Sequence, residues 1–133
     1  MARANDIIFC LKATNIVGQG ATATRVLSAI TPEYIPGLFT FSLVITILDY
    51  DMDKEHSIQL CFSSPDNECL INMNAVLPVV AAQSNLPHEY MGVTVAVDFN
   101  NVDFKSSGLY RLNIILDNEE IGSKEIFVKG KNE

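Results

Sequence analysis

The acidic segment Asp49–Glu55 contains a residue spacing that could bind a metal ion. Asp49, Asp51 and Asp53 alternate along it, and carboxylates are the ligands that calcium prefers in proteins. An EF-hand loop would next require Gly and later a bidentate Glu, where this chain has Lys54 and Leu60. Acidic turns are usually just exposed to water, and the ligand set is incomplete, so a solvated turn is the preferred explanation of the spacing. A calcium or small-ligand site in this turn is therefore the alternative to the function predicted below.

The histidines and cysteines lack the spacing of a zinc site. His56 and His88 are the two imidazoles, and neither has a second His or Cys at short ligand distance. The cysteines Cys10, Cys61 and Cys69 lie in apolar, strand-like runs without C-x-x-C spacing, which predicts free, buried thiols. Cys61 and Cys69 flank a polar turn, so they could instead face each other as an oxidation-sensitive pair.

Sequence motifs for catalysis and nucleotide binding are missing. The chain has no G-x-S-x-G and no phosphate-binding glycine loop, and Gly18-Gln19-Gly20 reads as a turn. We therefore predict that the protein is not an enzyme and uses no cofactor and no metal. A hydrolase built around Cys10, Cys61 or a histidine is a third hypothesis, because such partners can meet in three dimensions alone.

Composition predicts one folded domain, residues 1–133, because 48% of the residues are apolar and 19% are charged. Acidic residues outnumber basic ones by 16 to 9, giving a net charge of −7 without a basic cluster, so we expect neither nucleic-acid nor membrane binding. Ile7–Leu11 is too short for a secretory signal, and no segment approaches the roughly 18 apolar residues that span a bilayer. The expected location is the cytoplasm.

Apolar residues recur at every second position in several segments, which is typical of β-strands. The clearest such run, from Phe39 to Ile47, is followed by the Asp49–Glu55 turn and then by Ser57–Phe62. This order predicts a hairpin. The segment 79–86 reads as a loop or a brief helical turn. The whole pattern predicts an all-β fold, an antiparallel two-sheet immunoglobulin-like β-sandwich of about eight strands. The clearest run consists of Phe39, Phe41, Leu43, Ile45 and Ile47.

The last part of the chain contains Gly108-x-Tyr110-x-Leu112, preceded by Asp103. This pattern is similar to the tyrosine corner of immunoglobulin-like domains, where a Tyr hydroxyl bonds to the chain just upstream. Antibody-type domains have Cys where this chain has Leu112, and they have a core Trp that is missing here. The alternative is an ordinary strand that begins with Gly and Tyr.

A broader resemblance rests on four features. They are the opening strand IIFCLKA, the Pro36-Gly37-x-Phe39-x-Phe41 entry to the central strand, His56 at the start of the next strand, and the closing Gly-x-Tyr hairpin. Together they resemble a family of uncharacterised bacterial or phage small β-sandwich proteins. The resemblance implies the fold and a bacterial or phage origin, and it implies no function.

Apolar residues on the outer faces of the strands predict a binding surface. If the regular positions face the core, then Val44, Leu48, Ile115 and Phe127 point outward. Several such residues on adjoining strands would form a patch for another protein or for a second copy. A covering loop, or a register shifted by one residue, would remove this patch. The predicted function is thus non-catalytic protein interaction.

Overall fold

The computed structural model describes residues 2–16, 20–77 and 86–132, and it confirms the all-β prediction. The described part contains nine strands and a single turn of 3₁₀ helix at His88–Tyr90. The predicted turn at Gly18-Gln19-Gly20 and the predicted loop at 79–86 fall largely outside the described residues. The strands are β1 (Arg3–Ile16), β2 (Gly20–Val26), β3 (Ala29–Ile30), β4 (Gly37–Leu48), β5 (His56–Ser63), β6 (Cys69–Leu77), β7 (Gly92–Phe104), β8 (Gly108–Leu116) and β9 (Glu119–Val128).

The strands form two sheets, with the orders β2-β1-β4-β7 and β3-β9-β8-β5-β6. Neighbouring strands run antiparallel, except that the two-residue strand β3 pairs in parallel with β9. The alternating apolar positions of β4 and β8 face each other between the sheets, as period-two patterning predicts. The nine strands slightly exceed the expected number because the segment that precedes β4 is divided into β2 and β3.

Aromatic rings fill one end of the core. Phe41 lies at the centre of this cluster, with ring-centroid distances of 6.0 Å to Phe9, 5.7 Å to Phe62 and 5.4 Å to Phe99. The rings are tilted against each other, which is a favourable geometry for aromatic pairs. Because Phe9 and Phe41 come from the four-stranded sheet and Phe62 from the five-stranded sheet, this cluster joins the two layers.

The predicted hairpin between the regular strand and Ser57–Phe62 is wrong. The strand β4 pairs with β1 on one side and β7 on the other, whereas β5 lies in the opposite sheet between β6 and β8. The Asp49–Glu55 segment therefore crosses from one sheet to the other. Local alternation could not reveal this, since it fixes which residues share a face and not which strands are neighbours.

The strand β1 pairs with both β4 and β2, and the β1–β2 hairpin packs over part of the outer face of the four-stranded sheet. Its first part, through Cys10, pairs with β4, and its second part pairs with β2. A second, smaller core of Cys10, Ala13 and Val44 lies on this outer face, with Ala21, Ala23 and Ala96 packed against it. Small side chains allow the β1–β2 hairpin to approach β4 and β7 closely. Asn15 also exchanges two hydrogen bonds with the backbone of Ala96 in β7.

The tyrosine corner is confirmed. The Tyr110 hydroxyl donates to the carbonyl oxygen of Ser106 at 2.7 Å, and the ring is almost completely buried against Phe62 and Phe104. Gly108 precedes the corner with a positive φ of 142°, a conformation that favours glycine. The corner therefore fixes the loop between β7 and β8 to the start of β8.

We expect Tyr110→Phe to lower the free energy of unfolding by about 1 kcal/mol. The substitution keeps the buried ring and removes the hydrogen bond to Ser106. Urea denaturation of both proteins measures the difference, and Tyr34→Phe, at an exposed ring, is the matched control. Equal stability of the Tyr110→Phe and parent proteins would contradict a stabilising role for this bond.

Candidate functional site

Phe127 belongs to a row of exposed apolar side chains across the outer face of the five-stranded sheet. It is 49% exposed and pairs with Leu109 in β8, which is 48% exposed, and with Ala29 in β3. Ala29 is half-buried and extends the row onto β3. We call Ala29, Phe127 and Leu109 the Phe127 row.

Charged and polar side chains border the Phe127 row. The next outward-facing pair along the β8–β9 hairpin is Arg111 and Glu125, both of them exposed. Arg111 donates to Asn113 and to Ser123, so its guanidinium is held along the sheet surface. An apolar centre with a polar border is the usual composition of a protein-binding surface.

The four residues predicted as contacts do not form one patch. Val44 points outward as expected, but it is only 6% exposed because the β1–β2 hairpin covers it, so its predicted accessibility is wrong. Leu48 is half-buried at the end of β4, in the other sheet from Phe127. Ile115 is half-buried and opposes Glu120, at the far end of β8 from Leu109. Of the four, Phe127 alone lies in the exposed row.

Two members of the Phe127 row, Leu109 and Ala29, were not predicted from the sequence. Leu109 could have been found from alternation, because it precedes the inward-facing Tyr110 and so points outward. Ala29 comes beside Phe127 only through the β3–β9 pairing. That pairing joins distant parts of the chain and leaves no local signal.

A shallow cleft of about 240 Å³ opens at the same end of the sandwich, where β4 begins and β7 ends. Tyr34 and Leu38 line it with strongly exposed side chains, and an ion pair of Lys131 with Glu33, 3.4 Å apart, lies beside them. This end of the molecule thus carries both the Phe127 row and two further exposed apolar residues.

The acidic segment does not gather its carboxylates. Asp49 lies 3.8 Å from Arg3 and 3.6 Å from His88, whereas Asp51 accepts a hydrogen bond from the backbone of Asp53. Among residues 2–16, 20–77 and 86–132, no three His, Cys, Asp or Glu side chains form a group that could hold a metal ion. The alternative of a calcium site in this turn therefore has no assembled ligand set in the described part of the chain.

His56 is fixed by hydrogen bonds at both ring nitrogens. Nδ1 lies 2.5 Å from the Asp117 carboxylate, and Nε2 lies 2.5 Å from the carbonyl oxygen of Asp51. The same Asp117 carboxylate accepts from the backbone of Ser57 at 2.9 Å. These bonds fix the acidic segment and the turn after β8 to the start of β5.

Both partners of the His56 ring can accept hydrogen bonds, and the doubly protonated imidazole satisfies both of them by donating from each ring nitrogen. The hydrogen bond to Asp117, and then that to the Asp51 carbonyl, raise the pKa of His56, and the same bond lowers the pKa of Asp117. In this doubly protonated form neither nitrogen has a free lone pair to accept a proton from a substrate. The geometry therefore favours a structural role for His56.

The cysteines differ from the expectation of three buried thiols. Cys10 is completely buried in the small outer core, and burial is the main cause that raises its pKa. Cys61 is half-buried and Cys69 is exposed on the outer face of the five-stranded sheet, so the prediction of burial is wrong for Cys69. Their sulfur atoms lie 2.9 Å apart.

Within residues 2–16, 20–77 and 86–132 no helix has the length and apolar character needed to cross a membrane. The chain is similar in structure to an immunoglobulin-like protein from Pseudomonas aeruginosa, with a TM-score of 0.50, 11% identity and coverage of 97% of both chains. A β-glucosidase from Listeria innocua aligns with a TM-score of 0.47 and 14% identity over 92% of this chain and 16% of that chain.

The first of these structures confirms the immunoglobulin-like fold and, at this identity, shows the fold alone. No curated protein matches the sequence. A family model described as a family of unknown function, DUF6941, matches residues 6–129. This match agrees with the resemblance to uncharacterised β-sandwich proteins, and the chain belongs to the family of unknown function DUF6941.

Proposed function

We propose that this protein is a non-catalytic interaction domain that binds another protein through the Phe127 row. The exposed pairing of Phe127 with Leu109 is the observation that carries the proposal. An aromatic and an aliphatic side chain, held side by side on a rigid hairpin, offer apolar area at little cost in conformational entropy. A flat surface of this kind suits the side chains of a partner protein.

Two further observations support a different protein as the partner over a second copy of this chain. The net charge is −7, so two copies repel each other as they approach. The border of the row carries charges of both signs, from Arg111, Glu125 and Lys129, and these can pair with a partner of mixed polarity. Protein binding also fits the structural role of His56, because both of its ring nitrogens are engaged by Asp117 and by the carbonyl oxygen of Asp51.

Photo-crosslinking in the native cell tests the proposal. A photoreactive phenylalanine analogue at Phe127 should give a specific product with one partner protein, which mass spectrometry then identifies. The same analogue at Val76 is the control, because Val76 is 61% exposed on the same sheet but lies at the other end of its outer face. Crosslinking from Phe127 and not from Val76 is the expected result.

Affinity measurements between the identified partner and purified variants show how much Phe127 contributes to binding. Phe127→Asp should weaken binding at least about tenfold, since it places a charge in the apolar centre of the interface. Val76→Asp should leave the affinity unchanged. Equal affinities for the two variants would overturn the proposal. A crosslink from Phe127 to a second copy, with a dimeric mass in solution, would overturn the choice of a different protein.

A further inference from the structure

The two thiols on the outer face of the five-stranded sheet lie in direct contact. The sulfur atoms of Cys61 and Cys69 are 2.9 Å apart, and a disulfide bond is about 2 Å long. Closing the bond therefore requires the atoms to approach by only about 1 Å. The sequence separation is also short, because the two residues flank the turn between β5 and β6.

The local structure explains how the two sulfurs meet. In the β5–β6 pairing Cys61 opposes Asn72 and Cys69 opposes Ser63, so the cysteines are diagonal neighbours. The register shifts between Phe62 and Ser63, as it does at a β-bulge. The side chains of Cys61 and Cys69 then project from the same outer surface. The turn is held by hydrogen bonds between Ser64 and Glu68.

The two thiols also differ in access. Cys69 is exposed and Cys61 is half-buried beside it, so a dissolved reagent can reach Cys69 and leave Cys61 to complete the reaction. Cys10, in contrast, is completely buried in the small outer core. The chain thus contains one paired, accessible site and one isolated, inaccessible thiol.

We propose that Cys61 and Cys69 form a reversible dithiol–disulfide site that reacts with low-molecular-weight disulfides such as oxidised glutathione. One protein thiolate attacks the reagent and forms a mixed disulfide, releasing one molecule of reduced thiol. The second protein thiolate then attacks the protein sulfur of that mixed disulfide and releases a second molecule of reduced thiol. The two cysteines lose two electrons and two protons, and the reagent gains them.

The environment of Cys69 sets the conditions for this reaction. Partial loss of hydration around the sulfur atom, and then the hydrogen bond with Cys61, raises the pKa of the Cys69 thiol to about 11, although the residue as a whole is exposed. Because the thiolate is the reacting form, the exchange should be slow at neutral pH and faster in alkaline buffer. The oxidised form should also melt at a higher temperature, by roughly 5–10 °C, because the bond closes a loop in the unfolded chain.

Peptide mass analysis of the full chain tests the site. The protein is incubated with oxidised glutathione at alkaline pH, alkylated under denaturing conditions and cleaved after lysine and arginine. Cys61 and Cys69 fall in one peptide, residues 55–105, and Cys10 falls in another, residues 4–12. The expected products are an unalkylated 55–105 peptide that lacks two hydrogens, and an alkylated 4–12 peptide.

Single substitutions separate the steps. Cys61→Ser should stop the reaction at a stable glutathione adduct on Cys69, whereas Cys10→Ser should still form the internal bond. Reduction with dithiothreitol should restore both free thiols in the parent protein. Two alkylated thiols in the 55–105 peptide after oxidation, or a persistent glutathione adduct in the parent protein, would overturn the proposal. Failure of protein binding at the Phe127 row would not affect this result.

Discussion

Replacing Phe41 by alanine should lower the free energy of unfolding by about 3–5 kcal/mol, because it leaves a large cavity in the core. Phe41 is fully buried, and its ring touches the rings of Phe9, Phe62, Phe99 and Phe104. These partners come from both sheets, so the substitution weakens the contact between the layers. Urea denaturation followed by tyrosine fluorescence or circular dichroism measures the change.

Phe127→Ala is the matched control for Phe41→Ala. It removes the same side chain from a half-exposed position and should cost less than about 1 kcal/mol. Phe41→Leu should recover most of the lost stability, since it refills part of the cavity. Similar losses for Phe41→Ala and Phe127→Ala would contradict the assignment of Phe41 to the centre of the core.

His56→Gln should remove a large part of the pH dependence of stability. The pKa of His56 is raised mainly by its hydrogen bond to Asp117, so the pair stabilises the fold fully below the ordinary histidine value of 6.5. This contribution is lost as the pH rises through the raised pKa of the folded state. Near pH 6 we expect His56→Gln to lower the free energy of unfolding by about 1–2 kcal/mol. The expected loss is no larger because solvent screens the half-exposed Asp117 carboxylate.

At acidic pH the stability changes with pH in the opposite direction. The pKa of Asp117 is lowered, first by His56 and then by the backbone of Ser57. Its contribution is present above the ordinary aspartate value of 3.8 and is lost as the pH falls through the lowered value. The His56–Asp117 pair is therefore most stabilising between about pH 4 and pH 6.5.

Urea denaturation at intervals from pH 4 to pH 9 checks this profile. The parent protein should lose stability above pH 6.5, and His56→Gln should show a flatter curve in that range. His88→Gln is the control, because His88 is 66% exposed and lies 3.6 Å from Asp49. A curve for His56→Gln parallel to that of the parent protein would show that His56 is not held as the imidazolium.

Side-chain alternation was sufficient to predict the fold class. The inward positions of β4 and β8 follow from every second apolar residue. The tyrosine corner was one of two interpretations of the Gly108-x-Tyr110-x-Leu112 pattern, and the hydrogen bond of Tyr110 to Ser106 decides for it. These signals are local, because they depend on the pleat of one strand or on one turn. For the same reason Phe127 was correctly placed on the outer face of its sheet.

The pairing of distant segments could not be predicted in this way. Val44 has the sequence pattern of an exposed residue, but the small residues of the β1–β2 hairpin cover it. His56 and Asp117 are far apart in the sequence and meet only because β5 and β8 are neighbours. The contact of Cys61 with Cys69 was one of two readings of the cysteine spacing, and the turn geometry decides between them.

The pairing of β3 with β9 has a consequence for synthesis on the ribosome. Ala29 and Ile30 pair with Phe127 and Val128, and Lys124 donates to the carbonyl oxygen of Ile7 at 2.8 Å. The segments β1 and β3 therefore lack these contacts until β9 has been synthesised, and the two layers cannot close before then. Such long-range pairing slows folding, and the nascent chain should remain sensitive to proteases until β9 has left the exit tunnel.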